Sequence, residues 1–425
     1  MNRYQQIIGR INYGLFLAII ALLPAPQIVL RYTIVAWGIL WFLEGRWLNR
    51  ANFKIGVASY RLWIPFVLFG LWYGWKVVSW FWSADHIAWG WQIERYLTFA
   101  LIIPIGLWGL NECYDWRTAG KVLVAGCVIA VPLYISYMAA LYFHPEWVPD
   151  RCLNNEWTQH TDWWLFFSEN ISHFKHRLFL CSVEIFGAIL AFLLYRKKLW
   201  VLLPIWAVML MTIPLTGSRQ SIITTLALFI VGVIALIPKD RRWRYGIAIA
   251  LVGIVASIGI LHWHPRMQDI EVSDIKEMRE RSYYHDVRLN IWGTALQHPQ
   301  DYLAYGLGAG QSCNYLKEKF QNIHFDGYVA KQYHAHCQYL EETMEIGLPG
   351  LLLFLLAWLS IPICAPKKGR LIALLFTTLF VFNMFTDCMF GKFDGVALWA
   401  AGLLFILLQS DPQREEQTSG NTERH

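Results

Sequence analysis

His334-Ala-His336-Cys-Gln-Tyr-Leu340-Glu-Glu-Thr-Met-Glu-Ile-Gly347-Leu-Pro-Gly350 runs without a break into Leu351-Leu-Leu-Phe-Leu-Leu-Ala-Trp-Leu-Ser-Ile-Pro-Ile-Cys364. The first part is polar and rich in titratable groups. The second carries no charge and has the apolar character of a segment that crosses a bilayer. A polar loop feeding directly into a membrane helix is the pattern from which the rest of the chain can be read.

Apolar runs like 351–364 recur throughout. The chain is 425 residues long, 56% hydrophobic and only 16% charged, more apolar than an ordinary soluble domain. Spans are expected at 12–24, 28–44, 61–82, 96–110, 122–142, 177–195, 199–215, 219–237, 244–262, 349–364, 371–386 and 394–409. The first leads through Pro24-Ala-Pro26 straight into the second, so it reads as a retained helix and not as a cleaved signal. The expected fold is an all-α polytopic membrane protein with about 12 transmembrane helices and one large, partly helical outer loop between spans nine and ten.

Orientation follows from Lys and Arg, which are retained on the cytoplasmic side of short loops. With the N-terminus inside, the inner loops hold Arg46, Arg50, Lys54, Arg61, Arg117, Lys121, Arg196-Lys-Lys198, Lys239, Arg241, Arg242, Arg244, Lys367, Lys368 and Arg370, sixteen in all. The outer side holds seven: Arg31, Arg95, Arg151, Lys175, Arg177, Arg219 and Lys392. Both termini are then cytoplasmic. The chain divides into spans one to nine over 1–262 with an outer loop at 143–176, the large outer loop 263–348, spans ten to twelve over 349–410, and a polar, disordered cytoplasmic tail at 411–425. Outside the cytoplasm there is no ATP and there are no nucleotide sugars, so a reaction there draws its energy from its substrate.

The net charge of +6 does not point to nucleic acid, because the basic residues lie in short topogenic clusters. Eight cysteines without a Cys-x-x-Cys pair argue against a zinc or redox motif. Cys152, Cys313 and Cys337 fall in outer loops, where a disulfide among them is open. His160, Asp162, His173 and His176, with His334 and His336, supply potential ligands but no metal-binding spacing, so neither metal nor cofactor is expected.

Several residues carry candidate chemistry. Arg219, in Thr216-Gly-Ser218-Arg219, opens span eight from outside. It is either an interfacial arginine reaching lipid headgroups or, with Ser218 and the free N–H groups of the helix end, part of a phosphate site. Arg288 and Trp292 share a face of a helix over 286–296. They form a cation–π pair or, alternatively, Arg288 is a second arginine for one diphosphate. A further helix is expected over 339–346, closed by Gly347, with an irregular stretch around Gly306-Leu-Gly-Ala-Gly310 between the two. His336 suits proton abstraction from a sugar hydroxyl, with His334 as its rival. Lys76 and Glu184, at similar depth in spans three and six, are expected to form a buried ion pair or a polar pocket beneath the site.

In this order and spacing, Ser79-Trp-Phe-Trp-Ser83, Ser218-Arg219, Arg288-x-x-x-Trp292, Gly306-Leu-Gly-Ala-Gly310 and His336-x-x-x-Leu340-Glu341…Gly347-Leu-x-Gly350 resemble the O-antigen ligase and polymerase superfamily. The resemblance implies an inverting, metal-independent glycosyltransferase of the bacterial inner membrane. It implies a donor glycan on undecaprenyl diphosphate, a lipid A-core or glycan acceptor, a site facing the periplasm, and membrane lipids and other polysaccharide assembly proteins as partners. By position, Arg219 and Arg288 would hold the diphosphate and His336 would act as general base. Cys337 departs from the asparagine or serine common after the family's histidine. A ligase is the leading expectation because one outer loop dominates, followed by a polymerase and a protein O-oligosaccharyltransferase. A lipid-linked glycan transporter is the reading from outside the enzymes.

Overall fold

The computed structural model describes residues 3–25, 27–49, 61–144, 175–216, 218–236, 255, 287–322 and 333–410. Among them the regular structure is entirely helical. In chain order the α-helices are α1 (Arg3–Leu22), α2 (Gln27–Leu43), α3 (Trp63–Val78), α4 (His86–Arg95), α5 (Leu97–Trp108), α6 (Trp116–Phe143), α7 (Arg177–Tyr195), α8 (Leu199–Leu210), α9 (Thr212–Thr216), α10 (Arg219–Leu236), α11 (Val287–Gln297), α12 (Ser312–Asn322), α13 (Gln338–Cys364), α14 (Arg370–Met384) and α15 (Phe393–Ser410).

Among the described residues seven stretches of helix are long and apolar enough to cross a membrane, and four shorter apolar helices accompany them. The chain is a multi-pass membrane protein, all-helical in its described residues. Expected span nine apart from residue 255, most of the 143–176 loop, the 263–286 segment and the tail 411–425 lie outside the described residues.

Helices appear where apolar periodicity alone does not announce them. α4 starts because Asp85 accepts hydrogen bonds from the Ile87 and Ala88 amides, a side-chain cap in an otherwise loop-like stretch. α12 occupies part of the segment expected to be irregular between the two loop helices, whereas the Gly306–Gly310 turn stays irregular. Its sequence is mostly polar, but Leu316 and Phe320, one turn apart, are both buried. The expected helix over 339–346 and span ten follow one another along α13 and are parted, as expected, by a kink at Gly347, whose φ of 68° and ψ of −174° are non-helical.

Within a bilayer, apolar contact between helices gains little over contact with lipid, so assembly rests on close fit and on polar knots. The fit is aromatic. Phe69 and Trp72 of α3, Phe99 of α5, Phe354 and Trp358 of α13 and Trp399 of α15 converge with Phe390, the Phe99 and Trp399 rings 3.9 Å apart at their centroids. A second, smaller core lies in the loop segment, where Ile291, Ala295, Tyr302, Leu316, Phe320, Ala335 and Met344 pack together.

Candidate active site

The site is assembled on the first turns of α13. The turn Gly306–Gly310 lies across them, and its amides hold the helix. Leu307 N–H donates to the Met344 carbonyl and Gly308 N–H to that of Glu345, both at 2.8 Å, while Gly310 N–H donates to Glu345 Oε1 at 2.9 Å. Gly306 has φ 80°, and a Cβ there would sit 2.3 Å from the Glu345 carbonyl oxygen, so only glycine fits. The Ser79–Ser83 segment receives the other side of this turn: Ala309 N–H donates to Ser79 Oγ and Gln311 Nε2 to Ser83 Oγ, each at 2.9 Å.

Beneath the turn lies a fully buried charge cluster. Lys76 Nζ is 2.6 Å from Glu345 Oε2 and 3.1 Å from Glu342 Oε2. Trp72 Nε1 and Gln338 Nε2 donate to the two Glu342 oxygens at 2.8 and 2.7 Å. This corrects the expected Lys76–Glu184 pair. Equal depth in two helices does not make them neighbours: α3 packs along α13, whereas α7, which carries Glu184, packs with α6, α8 and α14. Glu184 lies beside Cys127 and in the field of Lys175, whose Nζ is 3.0 Å from Asp394 Oδ1.

Just before α13 the backbone folds tightly around Ala335. Its N–H donates to Glu341 Oε2 at 2.8 Å, and its carbonyl accepts from Trp292 Nε1 at 2.9 Å. Trp292 therefore points its indole N–H at the backbone between the two histidines. His336 has φ 49°, the one non-glycine residue with positive φ among those described. Its N–H donates to His334 Nδ1 at 3.1 Å, which leaves His334 neutral with its proton on Nε2. The two imidazoles lie 4.1 Å apart at their centroids.

His336 Nδ1 faces Asp387 Oδ1 at 3.9 Å. This is longer than a direct hydrogen bond but within reach of a small side-chain rotation, as is common for acid–base pairs outside the substrate complex. Asp387 follows α14, and its carboxylate accepts the Cys388 N–H at 2.8 Å. Burial lowers the His336 pKa to about 4, helped by His334, Arg288 and His176 and opposed by Asp387. Burial, with Lys392, Arg95 and Arg288, also lowers that of His334. Asp387 stays below the usual carboxyl range; burial works against this but is outweighed by His176, His334, His336 and the Cys388 amide. The site is therefore a neutral base beside a carboxylate, in a positive field.

Arg219 is the first residue of α10. Ser218 Oγ lies 2.7 Å from Ser221 Oγ and accepts from the Ser221 amide, so it caps this helix. The next turn is tied to the end of α14, where Gln220 Nε2 donates to the Phe382 carbonyl at 2.5 Å and Thr224 Oγ1 to Asn383 Oδ1 at 2.8 Å. The Arg219 end of α10 thus adjoins the residues that lead to Asp387. Arg288 lies in the first turn of α11, within electrostatic reach of both histidines.

Residues 204–355 match the family model described as O-Antigen ligase. The match supports the O-antigen ligase-like superfamily for this chain. No curated protein matches it. The matched segment contains Arg219, Arg288, His334, His336 and Glu341, while Lys76 and Asp387 come from outside it. Of the metal-ligand candidates, His176 alone joins the two loop histidines, through Asp387; His160, Asp162 and His173 lie outside the described residues. Two sets, His334 with His336 and Asp387, and His334 with Glu341 and Cys388, bring ligand atoms within 4.8 Å of one another. The cations that disfavour a proton on these imidazoles disfavour a divalent ion in the same way. Cys313 and Cys337 are free thiols, and Cys152 is not among the described residues.

Asp387 is the residue that reading the sequence missed. It stands alone in Thr386-Asp-Cys388 between two apolar spans, with no partner nearby in sequence. The available signal was an ionisable group at the end of a membrane helix.

Proposed function

We propose that this chain is an O-antigen ligase that transfers a glycan from undecaprenyl diphosphate to a lipid A-core hydroxyl at the periplasmic face of the inner membrane. The observation that carries the reading is the neutral His336 beside the Asp387 carboxylate, with Arg288 in reach and the Arg219 end of α10 tied to the same loop. His336 accepts the proton of the acceptor hydroxyl as its oxygen attacks the anomeric carbon. The bond from that carbon to the diphosphate oxygen breaks, and undecaprenyl diphosphate leaves with the electron pair. A single displacement inverts the anomeric centre.

Arg219 and Arg288 balance the charge that develops on the leaving diphosphate, the arginine fork matching its oxygens. Asp387 stabilises the imidazolium formed on His336. His334, with Nδ1 engaged by backbone, has a structural role, and this favours His336 as the base. Burying the charged residues that anchor the loop also suits a rigid catalytic site better than a transporter, which must rearrange around its cargo.

Arg219→Ala, Arg288→Ala and His336→Ala should each abolish glycan-capped lipopolysaccharide while the protein still inserts in the membrane. Normal glycan ladders in all three variants would sink the proposal. In a deletion strain, accumulated lipid-linked polymer marks a ligase, and core bearing one repeat unit marks a polymerase.

A further inference from the structure

We infer that Glu341 and Trp292 are positioning residues that clamp the backbone on both sides of Ala335 and so set the placement of the His336 imidazole. The inference rests on His336 being the base. Two peptide planes precede His336. The plane between His334 and Ala335 is held by Glu341 through the Ala335 N–H. The plane between Ala335 and His336 is held at both edges, its carbonyl by Trp292 Nε1 and its N–H by His334 Nδ1.

On the far side α13 begins, with the Glu341 N–H donating to the Cys337 carbonyl at 2.9 Å. Between these fixed points His336 has to adopt its left-handed φ, a conformation that residues with a side chain seldom adopt and that persists only when the surroundings over-determine it. The clamp supplies that determination. Glu341 is itself buried and oriented by Ser312 Oγ, which donates to its second oxygen at 2.5 Å. α11, α12 and α13 therefore meet on one alanine.

The clamp also sets a distance. Trp292 lies one turn from Arg288 on α11, so the helix that presents the arginine is the helix that grips the backbone of the histidine. The leaving-group end and the acceptor end of the reaction are registered to each other through one indole N–H.

The test uses the full chain in proteoliposomes, with an undecaprenyl-diphosphate-linked glycan as donor and lipid A-core as acceptor. Trp292→Phe keeps the ring and removes the donor; kcat should fall about 10- to 100-fold, the usual cost of an ångström-scale misplacement, with both KM values unchanged. Glu341→Leu should act in the same way, while Glu341→Gln, which still offers an oxygen to the Ala335 amide, should retain most of the activity. Unchanged kcat in Trp292→Phe, a rise in KM alone, or Glu341→Gln no better than Glu341→Leu would each overturn the clamp. Should Glu341→Leu fail to insert, Trp292→Phe and Glu341→Gln decide. His336→Ala separates the two ideas: retained activity there removes the base reading, whereas lost activity there with an intact Trp292→Phe enzyme removes the clamp alone.

Discussion

Replacing Asp387 by asparagine removes one negative charge while keeping the side chain's shape and its ability to accept the Cys388 N–H. In the resting site His336 is neutral, so the loss is felt mainly when the imidazole takes up the acceptor's proton. Unit charges 3.9 Å apart, the Nδ1–Oδ1 separation, attract by about 4 kcal/mol at an effective dielectric of about 20 and by about 1 kcal/mol in water. The two side chains are 24% and 13% exposed, which places the pair nearer the first limit. A loss of about 2–4 kcal/mol is a fall in kcat of about 30- to 1000-fold. The assay is glycan transfer in proteoliposomes under saturating donor and acceptor, with KM for the donor followed alongside. Because Asp387 raises the pKa of His336, the variant's acidic limb should also move to lower pH. A kcat within about twofold of wild type across the pH range would refute the coupling, since even the aqueous limit requires more.

In the wild type, kcat/KM reports the free enzyme, so the acidic limb should fall through about pH 4 and not through the ordinary histidine range near 6.5. The same depressed value means that the folded site binds fewer protons than the unfolded chain between those two values. Stability should therefore decline as pH drops from about 6.5 to about 4, which thermal unfolding in detergent would show. Lys76→Met leaves the Glu342 and Glu345 carboxylates buried without their cation and should cost about 3–5 kcal/mol, read as loss of inserted protein. Reversing the charges of Lys76 and Glu184 together should not rescue it; rescue would contradict the observed pairing. Gly306→Ala places a methyl against the Glu345 carbonyl at positive φ and should lower the melting temperature, and an unchanged value would show that the turn is not anchored there.

The parts of the fold that depend on one segment's own composition were legible in the sequence. Bilayer-length apolar runs such as 177–195 announce themselves, and the loop helix carrying Arg288 begins within a residue of its expected start. What escaped depends on pairing between distant segments. Lys76 meets Glu345 across 269 positions, and no local pattern distinguishes that partner from Glu184. Trp292 was matched to Arg288 by helical spacing, yet its N–H reaches Ala335, 43 residues away. α12 was hidden because a short amphipathic helix with two buried anchors reads as polar loop. The candidate site follows the same rule: local motifs single out Arg219, Arg288 and His336 as candidates, and Asp387, which has none, is not singled out.

The cluster around Lys76 limits how modular the chain can be. Residues 287–348 possess a small core of their own and could be mistaken for an excisable unit. Yet two of the acidic groups buried at the base of that segment find their cation on a helix more than 260 positions earlier in the chain. Cut free of α3, the segment would carry two anionic side chains into an apolar interior with nothing to balance them, and it would not hold its shape. The loop that carries His336 and the membrane bundle are therefore a single folding unit, and grafting this loop onto another chain would require moving Lys76 with it.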